Sequence, residues 1–336
     1  MPKPKLMPFL RFVRQGNCLR VHAPDESVWE ATGKSVDDLV RLAPYLDGLH
    51  SPSEAAEVAG LGEDLVRQIV NYLSELGLVV DVPDVDPSVL ELLSQPGMAA
   101  QAEFLSSGNP TAGPEAMQRL MSATVMVIGQ SSWTSTIVSG LRSSGVGSVD
   151  SSTAVPENTL SDLNLLVVVD DGHESANLRQ VDSLCRQRRI PWLRVSPEQS
   201  ELSIGPLFVP EETACYRCYE ARRFTNVPQP EYGVALVRDR LPVSTASRTP
   251  YGAAGFLVSG LVALATVKFL AGSIPCEFIG QEYTLNVLTL ESDLRPLLAV
   301  PTCPTCVASR RPPEALITRL EVDEVDSHRE QSTVPD

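Results

Sequence analysis

The feature that most constrains this chain is a pair of CxxC motifs that stand far apart in the sequence. Cys215-Tyr-Arg-Cys218 and Cys303-Pro-Thr-Cys306 share the same two-residue spacing. This spacing lets both thiolates of a pair bind one ion, and four thiolates complete a closed tetrahedral Zn²⁺ site. The alternative is a redox dithiol, but such a motif is expected once and at the start of a helix after a strand. We therefore predict one structural, non-catalytic zinc site built from both pairs.

Composition limits the possible partners and location of the chain. Its 336 residues include 27 Lys and Arg against 42 Asp and Glu, which gives a formal net charge of −15. Because nucleic-acid binding depends on cations that neutralise phosphates, we expect no DNA or RNA partner. The other three cysteines have no paired spacing, and the chain starts without an apolar signal segment, so we expect a reducing, cytoplasmic location. The most apolar run, residues 252–270, contains Ser, Gly and Lys and predicts a buried helix rather than a membrane span.

Residues 1–83 have the pattern of a winged helix, with short strands followed by three helices. The turn Gln15-Gly-Asn17 predicts a hairpin, and residues 27–32 can add a third strand. Apolar residues recur at helical spacing in three stretches: residues 35–43, 53–58 and 63–76. Because the unit is acidic, we expect it to bind a peptide as an added strand rather than DNA. The alternative is a scaffolding or dimerisation domain.

The rest of the chain predicts a second, larger domain. Residues 84–120 are rich in Pro, Asp, Ser and Gly and predict a linker that contains one helical piece at residues 88–93. Over residues 121–320, apolar strands alternate with helices, which is typical of a doubly wound α/β nucleotide-binding domain. Strands are predicted at residues 124–128, 165–169, 191–195 and 282–289. The acidic segment 321–336 is poor in apolar side chains and predicts a disordered tail.

The first strand-to-helix turn of this domain, Gly129 to Thr134, is where such a fold binds phosphate. Glycines there let backbone N–H groups and the helix N-terminus approach the ligand. Only the first glycine is present, Ser131 and Ser132 bring side chains, and Trp133 adds bulk where the backbone should be bare. The turn therefore predicts a degenerate nucleotide site, although its hydroxyls can still hold an anion.

These motifs together carry a resemblance to a known family. The turn, the Asp170-Asp171 strand end, the stretch Gly205 to Pro210 and the two cysteine pairs resemble the ThiF-type fold of ubiquitin-activating-like adenylyltransferases. With its winged-helix unit in front, the chain is similar to a narrower branch: the ThiF-like leader-peptide-binding proteins of azole and thiopeptide biosynthesis. These pathways modify ribosomally made peptides (RiPPs), and residues 1–83 resemble their RiPP recognition element, a clamp for the leader peptide.

The resemblance implies roles for particular residues. Where working family members carry an Asp-Asn pair and an arginine, this chain has Glu174, Ser175 and Arg179, so we expect no ATP site in it. The leader is implied to add beside the third strand and to contact the third helix, at Val28, Trp29, Glu30, Arg67, Val70 and Asn71. A homodimer through the nucleotide-fold domain is also implied, although no pattern in the sequence demonstrates one.

The sequence thus predicts a non-catalytic adaptor in antibiotic biosynthesis. It would bind the leader of a precursor peptide and present it to a separate YcaO-type cyclodehydratase, which uses ATP to form azolines. The alternative from another class is a ThiF-like adenylyltransferase that activates a carboxylate, with Glu174 and Arg179 in its site. A DNA-binding regulator is a third interpretation, which the acidity of the chain disfavours.

Overall fold

The computed structural model describes residues 3–23, 26–33, 35–82, 84–155, 162–170, 175–198, 200–225 and 252–307. Two expectations fall on other residues. Glu174, expected at the degenerate nucleotide site, and the acidic segment 321–336 both lie outside the described residues.

The N-terminal part begins with four short strands. β1 (Lys3–Leu6) precedes an antiparallel sheet of β2 (Arg11–Gln15), β3 (Cys18–His22) and β4 (Val28–Thr32), paired in that order. Gly16, in the turn between β2 and β3, has a φ of +61°, a conformation that glycine adopts at little cost. The predicted hairpin and third strand are therefore present.

Three helices follow this sheet and pack against one of its faces. They are α1 (Ser35–Leu42), α2 (Pro52–Ala59) and α3 (Glu63–Glu75), as the helical spacing predicted. β5 (Val79–Val82) then returns to pair antiparallel with β1, a closure that the sequence did not predict. Apolar side chains of the helices and of the sheet meet in one core, which includes Leu19, Val36, Leu42, Ala55, Val66 and Leu73.

The segment predicted as a linker is folded. It contains α4 (Pro87–Leu93), α5 (Met98–Leu105) and α6 (Ala112–Ser122). Side chains of all three helices belong to the core of the large sheet, among them Val89, Met98, Leu105, Met117 and Leu120. Pro87 is the first residue of α4 and Gly97 directly precedes α5, so the turn-forming residues mark helix starts rather than open chain. α4 matches the helical piece predicted at residues 88–93, whereas α5 and α6 were not predicted, so the segment is packed structure rather than a plain linker.

The large sheet has a parallel half, and three of its four strands match predicted ones. Its members are β6 (Thr124–Ile128), β7 (Ser148–Ser152), β8 (Leu165–Val169) and β9 (Trp192–Glu198). β6 lies between β7 and β8, and β9 pairs with the other edge of β8. All five residues of β8 are buried, as expected for a parallel strand covered on both faces.

An antiparallel half extends the sheet beyond β9. β10 (Glu201–Phe208), β11 (Gln281–Asn286) and β12 (Ser292–Pro296) complete seven strands in the order β12–β11–β10–β9–β8–β6–β7. The predicted strand at 282–289 is confirmed in β11, whereas β7, β10 and β12 were not predicted. The sheet is mixed, so the α/β class is confirmed.

Helices cover both faces of this sheet. α7 (Ser132–Ser143) and α10 (Gly252–Ala271) pack on one face together with α4–α6, and α8 (Ser175–Arg188) and α9 (Tyr216–Thr225) pack on the other. Within the described part of the chain, only α10 is long and apolar enough to cross a membrane. Half of its most apolar window is buried, and α10 packs directly on α7, which fits the predicted buried helix.

Candidate functional site

The fold brings the two CxxC motifs together. The Sγ atoms of Cys215, Cys218, Cys303 and Cys306 all lie within 4.8 Å of one another. Cys215 Sγ is 3.8 Å from Cys218 Sγ and 3.6 Å from Cys303 Sγ, and Cys218 Sγ is 3.6 Å from Cys306 Sγ. Four thiolates held tetrahedrally at about 2.3 Å from a Zn²⁺ ion stand about 3.8 Å apart. The spacing therefore fits a single metal ion.

Short backbone turns hold the four thiols in place. The Cys218 N–H donates to the Cys215 carbonyl at 3.0 Å where α9 begins, and the Cys303 N–H donates to the Val300 carbonyl at 3.1 Å. The Val300 N–H in turn donates to Cys218 Sγ at 3.3 Å. Val300 thus links the two motifs directly. All four cysteines are buried, with partly buried apolar side chains of residues 297, 299 and 300 packed against them.

Burial sets the protonation of these thiols. It raises the pKa of the Cys215 thiol and raises the pKa of the Cys218 thiol to about 11. Burial also opposes the Cys303 thiolate, but the N–H groups of Thr305 and Cys306 outweigh it and lower the pKa of Cys303 to about 6. A bound cation favours the thiolate form of each ligand. The cluster can therefore bind one metal ion such as zinc, at the residues that the sequence predicted.

β4 carries three of the residues predicted to contact a leader. It pairs with β3 on one side, and no strand within the described ranges pairs with its outer edge. The side chains of Val28 and Glu30 are exposed, and Glu30 receives a 2.6 Å hydrogen bond from Arg20. Trp29 instead packs against the core beneath the helices. β4 thus offers an open strand edge, with its tryptophan turned inward.

α3 carries the other three residues. Arg67 is exposed and forms an ion pair with Glu63 one turn earlier, and Asn71 is also exposed. Val70 is buried in the core and is not available to a ligand at the surface. Tyr72 is exposed over 62% of its surface, which is unusual for an aromatic side chain on a packed helix.

The β6–α7 turn differs from its prediction at Trp133. Gly129 is required there, since a Cβ would lie 2.8 Å from Val169 Cβ and 2.7 Å from Thr134 Oγ1. Trp133 is only 1% exposed, and a Cβ at Gly255 of α10 would lie 2.9 Å from its ring. The expectation that Trp133 obstructs the turn was wrong, because its place on α7 directs the indole into the core against α10.

Two hydroxyls in this turn are buried without a hydrogen-bond partner among the described residues. They are Ser131 Oγ and Thr134 Oγ1, whereas Ser132 is exposed. An unsatisfied buried hydroxyl is costly, and the N-terminus of a helix favours negative charge. These two groups are therefore placed to donate to an anion at the start of α7.

Arg179, implied at the nucleotide site by the resemblance, has a different partner. Its Nε donates to Glu220 Oε2 at 2.6 Å and ties α8 to α9. Glu220 is 5% exposed, so the pair fixes the helix that starts at the first cysteine pair. This contact gives Arg179 a structural role in the fold.

A buried charge network at the ends of β8 and β9 was not predicted. Arg194 on β9 is 2% exposed, with Nη2 3.1 Å from Asp170 Oδ2 and Nη1 3.3 Å from Glu282 Oε1. Nη1 also donates to the hydroxyls of Tyr219 and Ser203. Burial opposes the charge, but Tyr219 and the two carboxylates hold the pKa of Arg194 above its ordinary value. The sequence did contain one sign of this network, because Arg194 stands in an apolar strand and a buried charge needs partners.

Comparison with known proteins gives the fold. No family model and no curated protein sequence matches the chain. The solved structure of the heterocyclase TruD matches with a TM-score of 0.63 and 22% identity, over 91% of this chain and 43% of that one. A heterocyclase in complex with substrate and cofactor matches with a TM-score of 0.64 and 20% identity, over 91% and 40%. E. coli MccB with MccA-N7isoASN matches with a TM-score of 0.55 and 15% identity, over 91% and 100%.

These likenesses define the class of fold. The chain shares the mixed α/β fold of MccB and of the heterocyclases. It spans less than half the length of the two heterocyclase chains. The coarse form of the predicted fold is therefore confirmed.

Proposed function

We propose that this chain is a non-catalytic, cytoplasmic adaptor of RiPP biosynthesis. It binds the leader of a ribosomally made precursor and presents it to a separate YcaO-type cyclodehydratase, which forms the azolines of a thiopeptide or another azole-containing peptide. The shared fold supports this, since it includes a heterocyclase solved with its substrate and MccB solved with MccA-N7isoASN. In this proposal, residues 1–83 are a winged-helix leader clamp and the ThiF-like domain, residues 121–320, is the docking body and homodimerises.

The observation that carries the proposal is the open outer edge of β4. A peptide strand added there would form main-chain hydrogen bonds with β4, and neighbouring side chains would select its sequence. Val28 on β4 and Tyr72 on α3 are exposed apolar groups of the kind that anchor a peptide. Glu30 and Arg67 add charges of both signs on the same two elements.

The four thiols complete the proposal as a structural Zn²⁺ site. Cys215, Cys218, Cys303 and Cys306 supply a full tetrahedral set of soft ligands, which leaves no position for a reacting water. The ion would join the start of α9 to the segment after β12. Its role is therefore to hold the docking body together, and the azoline chemistry belongs to the partner enzyme.

Titration of a labelled leader tests the clamp. The fluorescein-labelled leader of the precursor encoded beside this gene is added to the full chain, and fluorescence polarisation reports binding. Val28→Asp should weaken binding about tenfold, because it places a charge at the anchoring edge. Val13→Asp is the matched control: Val13 is 50% exposed, like Val28 at 48%, but lies on β2 at the opposite edge of the sheet. No binding to the full chain, or equal losses in both variants, would contradict the clamp.

Reconstitution tests the adaptor role separately. The precursor, ATP and the neighbouring YcaO-type enzyme are combined with and without this chain, and mass spectrometry counts the waters lost as rings form. The rate of ring formation should be much higher when the chain is present than when it is absent. The Val28→Asp variant should lower this rate. An equal rate of ring formation with and without the chain would contradict the adaptor role, even if the chain binds the leader.

A second function is favoured by one observation, the unpaired hydroxyls of Ser131 and Thr134 at the start of α7. In an adenylyltransferase they would donate to the phosphates of ATP. ATP–pyrophosphate exchange with the precursor as acceptor tests this function. Exchange that is abolished by Thr134→Val would establish the enzyme, whereas no exchange and no ATP binding would leave the adaptor.

A further inference from the structure

The outer face of α10 is exposed and apolar. The helix is described throughout, and its exposed residues are Gly252, Ala253, Phe256, Leu257, Gly260 and Leu264. At 100° per residue these six positions fall within one arc of about 140° around the helix axis. The side chain of Phe256 is 75% exposed. Solvent-facing helix surfaces are normally polar, so a continuous apolar stripe of this kind marks a surface that another molecule covers.

Large and small side chains alternate along this face. Gly252, Phe256, Gly260 and Leu264 are spaced by four residues, which places them along one ridge of the helix. In the described part of the chain, no atom lies within 4 Å of a Cβ built on Gly252 or on Gly260. Each glycine therefore leaves open space next to a projecting apolar side chain. The ridge is a row in which holes and knobs follow each other.

This row is complementary to a reversed copy of itself. Two copies of α10 that meet antiparallel about a twofold axis at the level of residue 258 place position 256 opposite position 260, and position 252 opposite position 264. Phe256 then faces the partner's Gly260, and Leu264 faces the partner's Gly252. The twofold axis repeats each contact, as it does in any isologous interface. A parallel pairing would instead set Phe256 against its own copy and glycine against glycine.

Charge also favours a second copy as the occupant. The chain has a net charge of −15, so two copies repel each other over most of their surfaces. The one ionisable residue of α10, Lys268, lies off the outer face and is ion-paired with Glu277. A basic partner would be drawn to acidic surfaces instead. On α7, which packs on α10, Ser132, Ser135 and Ser139 are exposed and can form a polar rim without charge.

The size of the face sets the expected strength of association. A stable interface buries about 800 Å² on each partner, which is more than the stripe of one helix supplies. The rim on α7 therefore has to contribute. We expect a dimer with a dissociation constant in the micromolar range rather than an obligate one.

We propose that the outer face of α10 is a homodimer interface in which two copies of α10 pack antiparallel about a twofold axis at residue 258. The inference rests on the homodimer of the proposed function, and it adds the surface and the geometry of that dimer. Because β4 is not part of this interface, each copy keeps its own leader clamp. The dimer therefore presents two clamps.

Sedimentation velocity of the full chain measures the monomer–dimer equilibrium between about 0.5 and about 50 µM. Phe256→Asp should raise the dissociation constant at least about a hundredfold, because the twofold axis introduces the change twice. Leu290→Asp is the matched control: Leu290 is 72% exposed, close to Phe256 at 75%, but lies in the β11–β12 turn. It should leave the dissociation constant unchanged. A monomer at all these concentrations, or equal losses in both variants, would overturn the proposal.

Gly260→Leu separates the interface from damage to the fold. The substitution fills the hole that Phe256 of the partner subunit occupies, so the dissociation constant should again rise at least about tenfold. The monomer should tolerate it, because the site is open and leucine favours a helix more than glycine does. Circular dichroism should show no loss of helix. A dimer of undiminished strength would overturn the proposal.

A complementary pair of variants tests the antiparallel geometry. Phe256→Lys and Gly260→Asp should each weaken the dimer. Their equimolar mixture should associate at least about tenfold more tightly than either variant alone, because the mixed dimer keeps one Phe256–Gly260 contact and gains an opposite-charge pair. Equal association of the mixture and the single variants would overturn this geometry. So would equally tight association of Phe256→Lys with Phe256→Asp, which a parallel pairing predicts.

Vesicle binding tests the other surface that an apolar helix face could meet. The chain is centrifuged with vesicles of phosphatidylcholine and phosphatidylglycerol, and it should stay in the supernatant. Sedimentation with the vesicles that Phe256→Asp abolishes would assign the face to a lipid surface and overturn the proposal.

Leader binding distinguishes a failure of this inference from a failure of the proposed function. Phe256→Asp should bind the labelled leader as tightly as the parent chain does. A Phe256→Asp variant that remains a dimer and binds the leader would reject this interface and leave the clamp standing. A parent chain that dimerises through α10 but binds no leader would contradict the clamp and leave the interface standing.

Discussion

The N-terminal part of the molecule and the large-sheet body place their charges differently. Arg20 Nε lies 2.6 Å from Glu30 Oε1, and both side chains are about half exposed. Arg194 lies 3.1 Å from Asp170 and 3.3 Å from Glu282, and only 3% of its side chain is exposed. The shorter pair contributes less to stability, because water screens an exposed pair while a buried charge depends on its partners. Burial, rather than distance, decides which pair matters to folding.

The same contrast holds for the two candidate sites. The four thiols are buried and held by backbone turns, whereas no strand in the described part of the chain pairs with the outer edge of β4, and Val28 and Glu30 on it are exposed. Changes in the body should therefore disturb folding and metal content, and changes at the exposed residues of β4, Val28 and Glu30, should disturb binding. The predictions below test this division, from the largest expected effect to the smallest.

Cys218→Ser should have the largest effect. It removes a thiolate that is central to the cluster, since Cys218 Sγ also accepts from the Val300 N–H. Zinc content should fall from one ion per chain to nearly none after dialysis, and Tm should fall by about 10 °C, because binding energy of a structural metal is folding energy. Cys276→Ser is the control: its Sγ donates to the Ala265 carbonyl outside the cluster. A Cys218→Ser variant that retains its zinc would contradict the assignment of the metal to the four thiols.

Arg194→Met should be the next most damaging change. It fills similar space but leaves Asp170 and Glu282 without their cation, which typically costs about 3–5 kcal/mol. Thermal unfolding measures this loss. Arg20→Gln removes the same charge from an exposed ion pair, and its Tm should change by less than about 1 °C. Equal losses at the two arginines would show that burial is not the deciding factor.

Trp29→Ala should have an intermediate effect that is confined to the N-terminal part. Its side chain packs on the local core but is partly exposed, so we expect a loss of about 1–3 kcal/mol. Hydrogen exchange of the β3 and α3 amides should accelerate, while zinc content stays at one ion per chain. Val28→Ala, one residue earlier and facing outward, should leave exchange unchanged. Loss of zinc in Trp29→Ala would indicate that the two regions unfold together.

Glu54→Gln should have the smallest effect, and it should depend on pH. Glu54 closes a capping box at α2: its carboxylate accepts from the Ser51 N–H at 2.8 Å, and its own N–H donates to Ser51 Oγ. The Ser51 N–H and hydroxyl lower the pKa of Glu54. This stabilisation is present above the unfolded pKa of about 4.3 and is lost as pH falls through the folded value.

Thermal unfolding between pH 7 and about pH 3 measures the Glu54 effect, because the folded pKa lies below the unfolded value of about 4.3. At pH 7 the Glu54→Gln variant should melt about 1–2 °C below the parent chain, and the difference should shrink as the pH falls from about 4.3 towards about 3. Glu57→Gln changes an exposed glutamate of the same helix outside the cap and serves as the control. A difference that is constant with pH would show that the carboxylate charge is not what stabilises the cap.

Local elements were predictable, whereas pairing between distant segments was not. The apolar runs of β6 and β8 and the helical spacing of α3 identify those elements because each signal lies within a few consecutive residues. The sequence does not indicate that β1 pairs with β5 or that β12 pairs with β11. These strands are only four to six residues long, and β5 lies far from β1 along the chain. The helices α5 and α6 were missed because the Pro and Gly residues around them indicated open chain.

The sequence by itself determined the four candidate metal ligands, the α/β class and the presence of only one glycine in the turn after β6, because these depend on residue type and local spacing. Only the tertiary structure decided that the two cysteine pairs meet, that Trp133 and Trp29 turn inward, and that Arg194 finds two carboxylates. The physical reason is that a CxxC motif fixes two sulfurs on one turn, but the position of the second pair depends on how the sheet and helices pack between them.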